Sequence, residues 1–165
     1  MDIAKIYDMQ VELDKKIMDK HQLKGSYKTK KILSIVVELA ELANEVRCFK
    51  FWSNKGPSEK SVILEEYVDA LCFILSLCIE KEVRLSDLEY ITISYNPKSE
   101  LDRDFMDLFK SVLDLDQSFL KKTRYSMLLH HYISFGLKLG FTWEEIEEAY
   151  IKKNEVNHKR QENGY

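Results

Sequence analysis

Glycine and proline are scarce, with five and two residues in a chain of 165. So little punctuation favours helices over a chain cut into many short elements. Cysteine is sparse too. Cys48, Cys72 and Cys78 are odd in number, contain no C-x-x-C pair and fall within apolar helical patterns. That spacing excludes a cysteine zinc site and a disulfide framework, and points to buried free thiols in a reducing compartment. No apolar run approaches the ~20 residues needed to span a bilayer. The longest, Tyr67 to Ile79, is interrupted by Asp69. An excess charge of one sign is also missing: 25 basic and 28 acidic residues leave a net charge of −3. That balance gives no support for binding nucleic acid through its backbone. There is no Walker A lysine loop and no G-x-G-x-x-G. A bound phosphate would therefore be held through metal and side chains.

What is present is a soluble globular composition, 45% hydrophobic and 32% charged. No repeat, low-complexity tract or domain boundary is visible, so one domain over 1–165 is expected. Met1 to Lys5 begins amphipathic structure at once and lacks a signal-peptide core. A cytoplasmic location is the expectation.

Apolar periodicity predicts helices over Ile3 to about Leu23, about Lys28 to Phe51 and about Glu59 to Glu82. Gly25 would close the first, Asn54-Gly56-Pro57 would break the second, and Ser58 would cap the third. The third is apolar almost all round, as in a core helix or one buried between subunits. Residues 85–100 are ambiguous: Tyr90 to Ile93 has strand propensity but is short. Helical patterns resume near Leu101 to Leu115 and Leu120 to Leu139, before Gly140. Thr142-Trp143-Glu144-Glu145 is a helix start with acidic residues suited to the dipole, opening a last helix to about Gln161. The fold class is an all-α bundle of five or six helices.

The second helix carries Glu38, Glu41 and Glu45. Residues three and four apart share a helix face, so these acids form a narrow stripe bordered by apolar residues. Like charges at this spacing repel by a few tenths of a kcal/mol per pair, and a cation is the simplest compensation. The third helix repeats the theme with Glu66 and Asp69 among Val62, Ile63, Ala70 and Phe73. Carboxylates on a core helix need partners. Two facing helices would gather Glu38, Glu41, Glu66 and Asp69. An all-oxygen donor set selects a hard cation such as Mg²⁺, which shares its shell with water and substrate phosphates. One E-x-x-E alone is usually a solvated face; two such pairs on the two most apolar helices are harder to dismiss. A di-iron bundle needs two E-x-x-H motifs. Only Glu155 to His158 has that form.

In the last helix Lys153, Asn157 and Arg160 share one face. A lysine, an amide and an arginine together suit a triphosphate, although a basic helix end also suits the dipole with no ligand at all.

These blocks resemble the dimeric dUTPase family of the all-α NTP pyrophosphatase superfamily. The resemblance is carried by Met9 to Ile17, Glu38 to Ser53 (with Phe49-Lys50-Phe51-Trp52-Ser53), Glu65 to Phe73, and a tail with Lys153, Asn157, Arg160, Gln161 and Gly164-Tyr165. Together they span nearly the whole chain. The E-x-x-E and E-x-x-D pair is common to the superfamily; the Phe-Lys-Phe-Trp-Ser block and the Arg-Gln…Gly-Tyr ending are sharper. The resemblance implies a homodimer that cleaves dUTP to dUMP and pyrophosphate. It implies Mg²⁺ on Glu38, Glu41, Glu66 and Asp69. Glu38 or Glu41 would orient or deprotonate the attacking water. Gln10 and Trp52 would lie near the nucleoside. Lys153, Asn157, Arg160 and Tyr165 would close over phosphate and sugar. The chain has Asp14 where many relatives have asparagine, and a carboxylate is unwelcome near a triphosphate, so Asp14 is left out of the expected site. The stretch from Leu85 to Arg124 matches least.

Two other functions stay open on this pattern. A related pyrophosphatase acting on dCTP or a modified NTP would share the carboxylates and differ in the base pocket. A non-catalytic helical dimer that binds a protein partner would use the acids as ion pairs, and its function would survive Glu38→Ala without any Mg²⁺ effect.

Overall fold

The computed structural model describes residues 3–84, 98–116 and 122–164, and among them it contains six helices and no strand. They are α1 (Ile3–Lys20), α2 (Lys28–Val46), α3 (Lys60–Glu80), α4 (Leu101–Asp114), α5 (Lys122–Lys138) and α6 (Trp143–Glu162). The all-α expectation holds. The strand propensity of Tyr90 to Ile93 falls outside the described residues. None of the described helices is long and apolar enough to cross a membrane.

The all-round apolar character of α3 has its cause inside the single chain. This helix packs against α1, α2, α5 and α6 at once. Tyr67, Ala70, Leu71, Ile74 and Leu75 have no exposed surface. Of the two explanations for such a helix, a central core position is the one observed. Helix α2 also packs on α4, α4 on α5, and α1 on α6.

The connection from α5 to α6 follows local sequence closely. Gly140 adopts φ +89°, its N–H reaches Leu137 O, and the Phe141 N–H reaches Gly136 O. This is the paired bonding that closes a helix through a left-handed glycine. Thr142 then caps α6: its Oγ1 accepts from Glu145 N–H at 3.2 Å, and Glu145 Oε2 accepts from Thr142 N–H at 2.8 Å.

The connection from α2 to α3 does not follow the local pattern. The apolar residues Phe49, Phe51 and Trp52 extend the periodicity, yet α2 stops at Val46. Arg47 turns left-handed at φ 60°. Its guanidinium donates to Ser53 Oγ at 2.8 Å and to Lys55 O at 3.2 Å, which ties the following loop back on itself. Ser58 does not cap α3. Glu59 holds that position without a side-chain bond, while the Ser58 hydroxyl donates to Glu45 Oε2 and its N–H reaches Glu45 O. Glu45, the last acid of the α2 stripe, is thereby turned to the loop, and the Ser58 bond holds its carboxyl below the ordinary range. Helix α1 ends at Lys20, short of Leu23, with Gln22 left-handed and Leu23 N–H on Met18 O.

Candidate active site

Four helices, α1, α2, α3 and α6, enclose a cavity of about 360 Å³. Each contributes a row of side chains at helical spacing. Gln10 and Asp14 come from α1, Lys31 and Glu38 from α2, and Asp69, Cys72 and Ser76 from α3. Lys153, Asn157 and Arg160 come from α6. The tail row expected from sequence therefore does face the same space as the carboxylates.

At one end of this cavity Glu38, Glu66 and Asp69 bring carboxylate oxygens within 4.8 Å of one another. All three are partly buried. Lys153 donates to Asp69 Oδ2 at 2.6 Å and lies 3.6 Å from Glu65. Glu41 is exposed, and it lines a neighbouring shallow hollow with Asn44, Glu45 and Glu66. The triad thus stands between the two depressions. Three of the four expected ligands meet directly, and Glu41 flanks them one turn along α2.

The electrostatics of this group explain what it fits. Burial first, and then the charges of Asp69, Glu41 and Glu66, push the Glu38 carboxyl up to about 7, against a pull from Lys153. Burial first, and then the charges of Asp69, Glu41 and Glu65, raise Glu66 against a pull from Lys153. Burial raises Asp69 despite its bond to Lys153. Burial alone would lower Lys153, yet its hydrogen bond to Asp69 leaves it raised. Lys153, with a weaker pull from Arg160 on Asp69, does not offset the burial and mutual repulsion of the three carboxylates, which stay raised. A hard divalent cation with oxygen ligands fits both the donor set and the unbalanced charge.

A pH dependence follows. An unfolded Glu38 loses its proton near the ordinary 4.5, whereas the folded metal-free one keeps it to about 7. The folded state then binds more protons across that window, so stability falls as pH rises through it. Burial holds His131 below its ordinary value and acts in the opposite sense, so a difference measurement is needed. With chelator present, the melting temperature of the wild type should fall relative to that of Glu38→Gln from about pH 5 to about pH 8. Saturating Mg²⁺ should remove the fall. A flat difference in chelator would refute the assignment.

Gln10 is buried and bonded on both sides, to Tyr150 and Asp14. Trp52 is not among the residues lining the cavity. It is 66% exposed and meets Phe49 and Phe51 edge-on, because the early stop of α2 carries this segment outward. Tyr165 lies outside the described residues. The structure puts Asp14, which sequence reasoning had left out of the site as a carboxylate unwelcome near a triphosphate, in the cavity wall, together with Lys31 and Ser76, which sequence reasoning did not single out. The signal was spacing. Asp14 is four residues from Gln10, Lys31 seven before Glu38, and Ser76 seven after Asp69, which puts each on the face of an expected site residue.

Compared with known proteins, the chain matches a family model described as dUTPase over residues 2–165. No curated protein matches it.

Proposed function

The chain belongs to this dUTPase family and is a hydrolase of dUTP, and from that premise we propose that it cleaves dUTP to dUMP and pyrophosphate with Mg²⁺ held by Glu38, Glu41, Glu66 and Asp69. The observation that carries the proposal is convergence. Carboxylates of α2 and α3 and the Lys153, Asn157 and Arg160 row of α6 meet at one cavity.

Bound Mg²⁺ would supply charge neutralisation for the triphosphate and acidify a coordinated water. The chain's own groups do the rest. Glu38 or Glu41 orients the water for attack on the α-phosphorus and takes its proton. Lys153 and Arg160 offer cationic N–H donors to phosphate oxygens, and Asn157 adds an amide. Gln10 sits at the nucleoside end. Trp52 and Tyr165 are proposed to complete the nucleoside and tail contacts.

A homodimer is part of the same proposal. Leu33 and Val37, four apart on α2, and Phe51 and Trp52 beyond it are exposed apolar side chains that a second copy would cover. The three free cysteines suit a reducing cytoplasm.

The test is pyrophosphate release from dUTP, dCTP, dTTP and UTP, each with Mg²⁺ and with EDTA. Mg²⁺-dependent release with dUTP preferred is expected. Preference for another nucleotide would keep the mechanism and overturn the substrate. No release from any of them would leave the acids as structural ion pairs and favour a protein-binding dimer.

A further inference from the structure

Lys153 carries two assignments that one ammonium does not meet at once. It stands in the row that offers donors to the triphosphate, yet its Nζ already donates to Asp69 Oδ2 at 2.6 Å. Asp69 is doubly claimed as well, by this ammonium and by the cation proposed for the triad. An ammonium and a divalent cation on one carboxylate repel each other, so the two occupy Asp69 in turn.

The structure supplies a second place for the lysine. Asp69 and Glu65 lie four residues apart on α3, and Glu65 Oε1 is 3.6 Å from Lys153 Nζ. Asp69 faces the central cavity. Glu65 faces a separate hollow of about 370 Å³ between α3 and α6, whose wall includes Leu64, Val68, Glu148 and Ala149. Lys153 lines both spaces. Its side chain is 15% exposed and belongs to the partition, whereas that of Glu65 is 68% exposed. A charge-assisted N–H···O bond is about 2.7–2.9 Å long, so Nζ needs to move only about 1 Å to close on Glu65. A change of side-chain torsion covers that distance without any shift of α3 or α6.

We propose that Lys153 is a displaceable counter-ion, which occupies Asp69 until a divalent cation takes that carboxylate and which Glu65 then receives; the inference rests on the metal site proposed above. In the metal-free protein the ammonium offsets part of the repulsion among Glu38, Glu66 and Asp69. Cation entry transfers it to Glu65, where it stays at the cavity wall within reach of arriving phosphate oxygens. Lysine and cation therefore compete while the cavity holds no nucleotide and act together once a triphosphate is bound. Glu65 is a positioning residue: it acts through Lys153 and touches neither metal nor phosphate.

Mn²⁺ binding to nucleotide-free protein, read by electron paramagnetic resonance, tests this exchange. The wild type is compared with Lys153→Met, Arg160→Met, Glu65→Gln and the double variant Lys153→Met/Glu65→Gln, and dUTP hydrolysis by the wild type is measured alongside. Lys153→Met should bind Mn²⁺ at least about tenfold more tightly, the worth of one charge-assisted hydrogen bond withdrawn from competition. Arg160 is an exposed member of the same row. Arg160→Met removes a charge and leaves the Lys153–Asp69 bond, so its gain should be about threefold at most. Glu65→Gln should weaken Mn²⁺ binding about threefold or more, because the lysine then keeps Asp69. It should change nothing once Lys153 is methionine. Equal gains in Lys153→Met and Arg160→Met, or the same loss from Glu65→Gln in both backgrounds, would overturn the exchange in favour of plain charge removal. If Lys153→Met fails to fold, Glu65→Gln is set against Glu148→Gln, which removes an exposed carboxylate from the same hollow. Only Glu65→Gln should then weaken Mn²⁺ binding, and equal effects of the two overturn the inference. A wild type that binds Mn²⁺ and hydrolyses dUTP keeps the metal site and the dUTPase function whichever way the variants fall. A wild type that binds no Mn²⁺ overturns the metal site and the exchange together.

Discussion

Glu38→Ala and Asp69→Ala should each reduce dUTP turnover at least about a thousandfold. Lewis-acid stabilisation of a phosphoryl transition state is worth several kcal/mol, and about 4 kcal/mol corresponds to three powers of ten in rate. Each substitution removes one of three oxygen donors that lie within 4.8 Å of one another. The stability of the two variants should part company. Glu38 is a partly buried acid raised to about 7 by burial and by its acidic neighbours, so its removal relieves the metal-free protein at pH above that value. Asp69 is bonded to Lys153, which is 15% exposed, and its removal leaves that ammonium, among the described residues, with the longer approach to Glu65. Asp69→Ala should therefore melt below the wild type in chelator, and Glu38→Ala at or above it. Both should lose the rise in melting temperature that Mg²⁺ gives the wild type, because a ligand stabilises only the state that binds it. Turnover near the wild-type level in both variants would remove the proposed site altogether.

Gly136→Ala should lower the melting temperature by about 4–8 °C, from a net loss of about 2 kcal/mol (an overpacking cost of about 3 kcal/mol less about 1 kcal/mol of helix propensity) at about 2–4 °C per kcal/mol for a chain of this size. The sign is the test. Glycine inside a helix is usually about 1 kcal/mol worse than alanine, so helix propensity predicts a gain. At this position of α5 an added Cβ would stand 2.5 Å from Tyr67 Cζ, 2.6 Å from its hydroxyl oxygen and 2.8 Å from Cε2. The ring has nowhere to go. It is fully buried and stacked on Tyr132 with centroids 4.5 Å apart and planes 5° apart. Each hydroxyl of the pair donates to the other's backbone carbonyl, Tyr67 at 3.2 Å and Tyr132 at 2.8 Å. Tyr67 also sits between Glu66 and Asp69 in sequence, so a shift of this turn would disturb the triad and lower activity with stability. Adding Tyr67→Phe should recover only part of the loss, since Cζ remains. A more stable Gly136→Ala protein would show that α5 and α3 approach less closely than described.

Much of this molecule is written in local pattern. Five of the six helices begin within two residues of where apolar periodicity begins, and α6 opens on the capping box that Thr142 and Glu145 spell out. The E-x-x-E and E-x-x-D spacings place their acids on single faces, because 3.6 residues per turn leaves no other choice. The Lys153, Asn157 and Arg160 row follows from the same periodicity. What periodicity does not contain is which face meets which. Glu38, Glu41 and Glu45 look equivalent along α2, yet one joins the triad, one flanks it and one bonds Ser58. The stretch from Arg47 to Phe51 reads as the end of a helix, but Arg47, bound to Ser53 and Lys55, turns the chain aside and carries Trp52 away from the cavity. Asp14, Lys31 and Ser76 are ordinary polar residues on three separate helices, and only the packing of α1, α2 and α3 makes them one edge. Short-range hydrogen bonds and side-chain spacing act within a few residues, so sequence alone settles the helices and the faces they offer. Burial and charge pairing act between elements far apart in the chain, so only the assembled bundle decides which of those faces become a site.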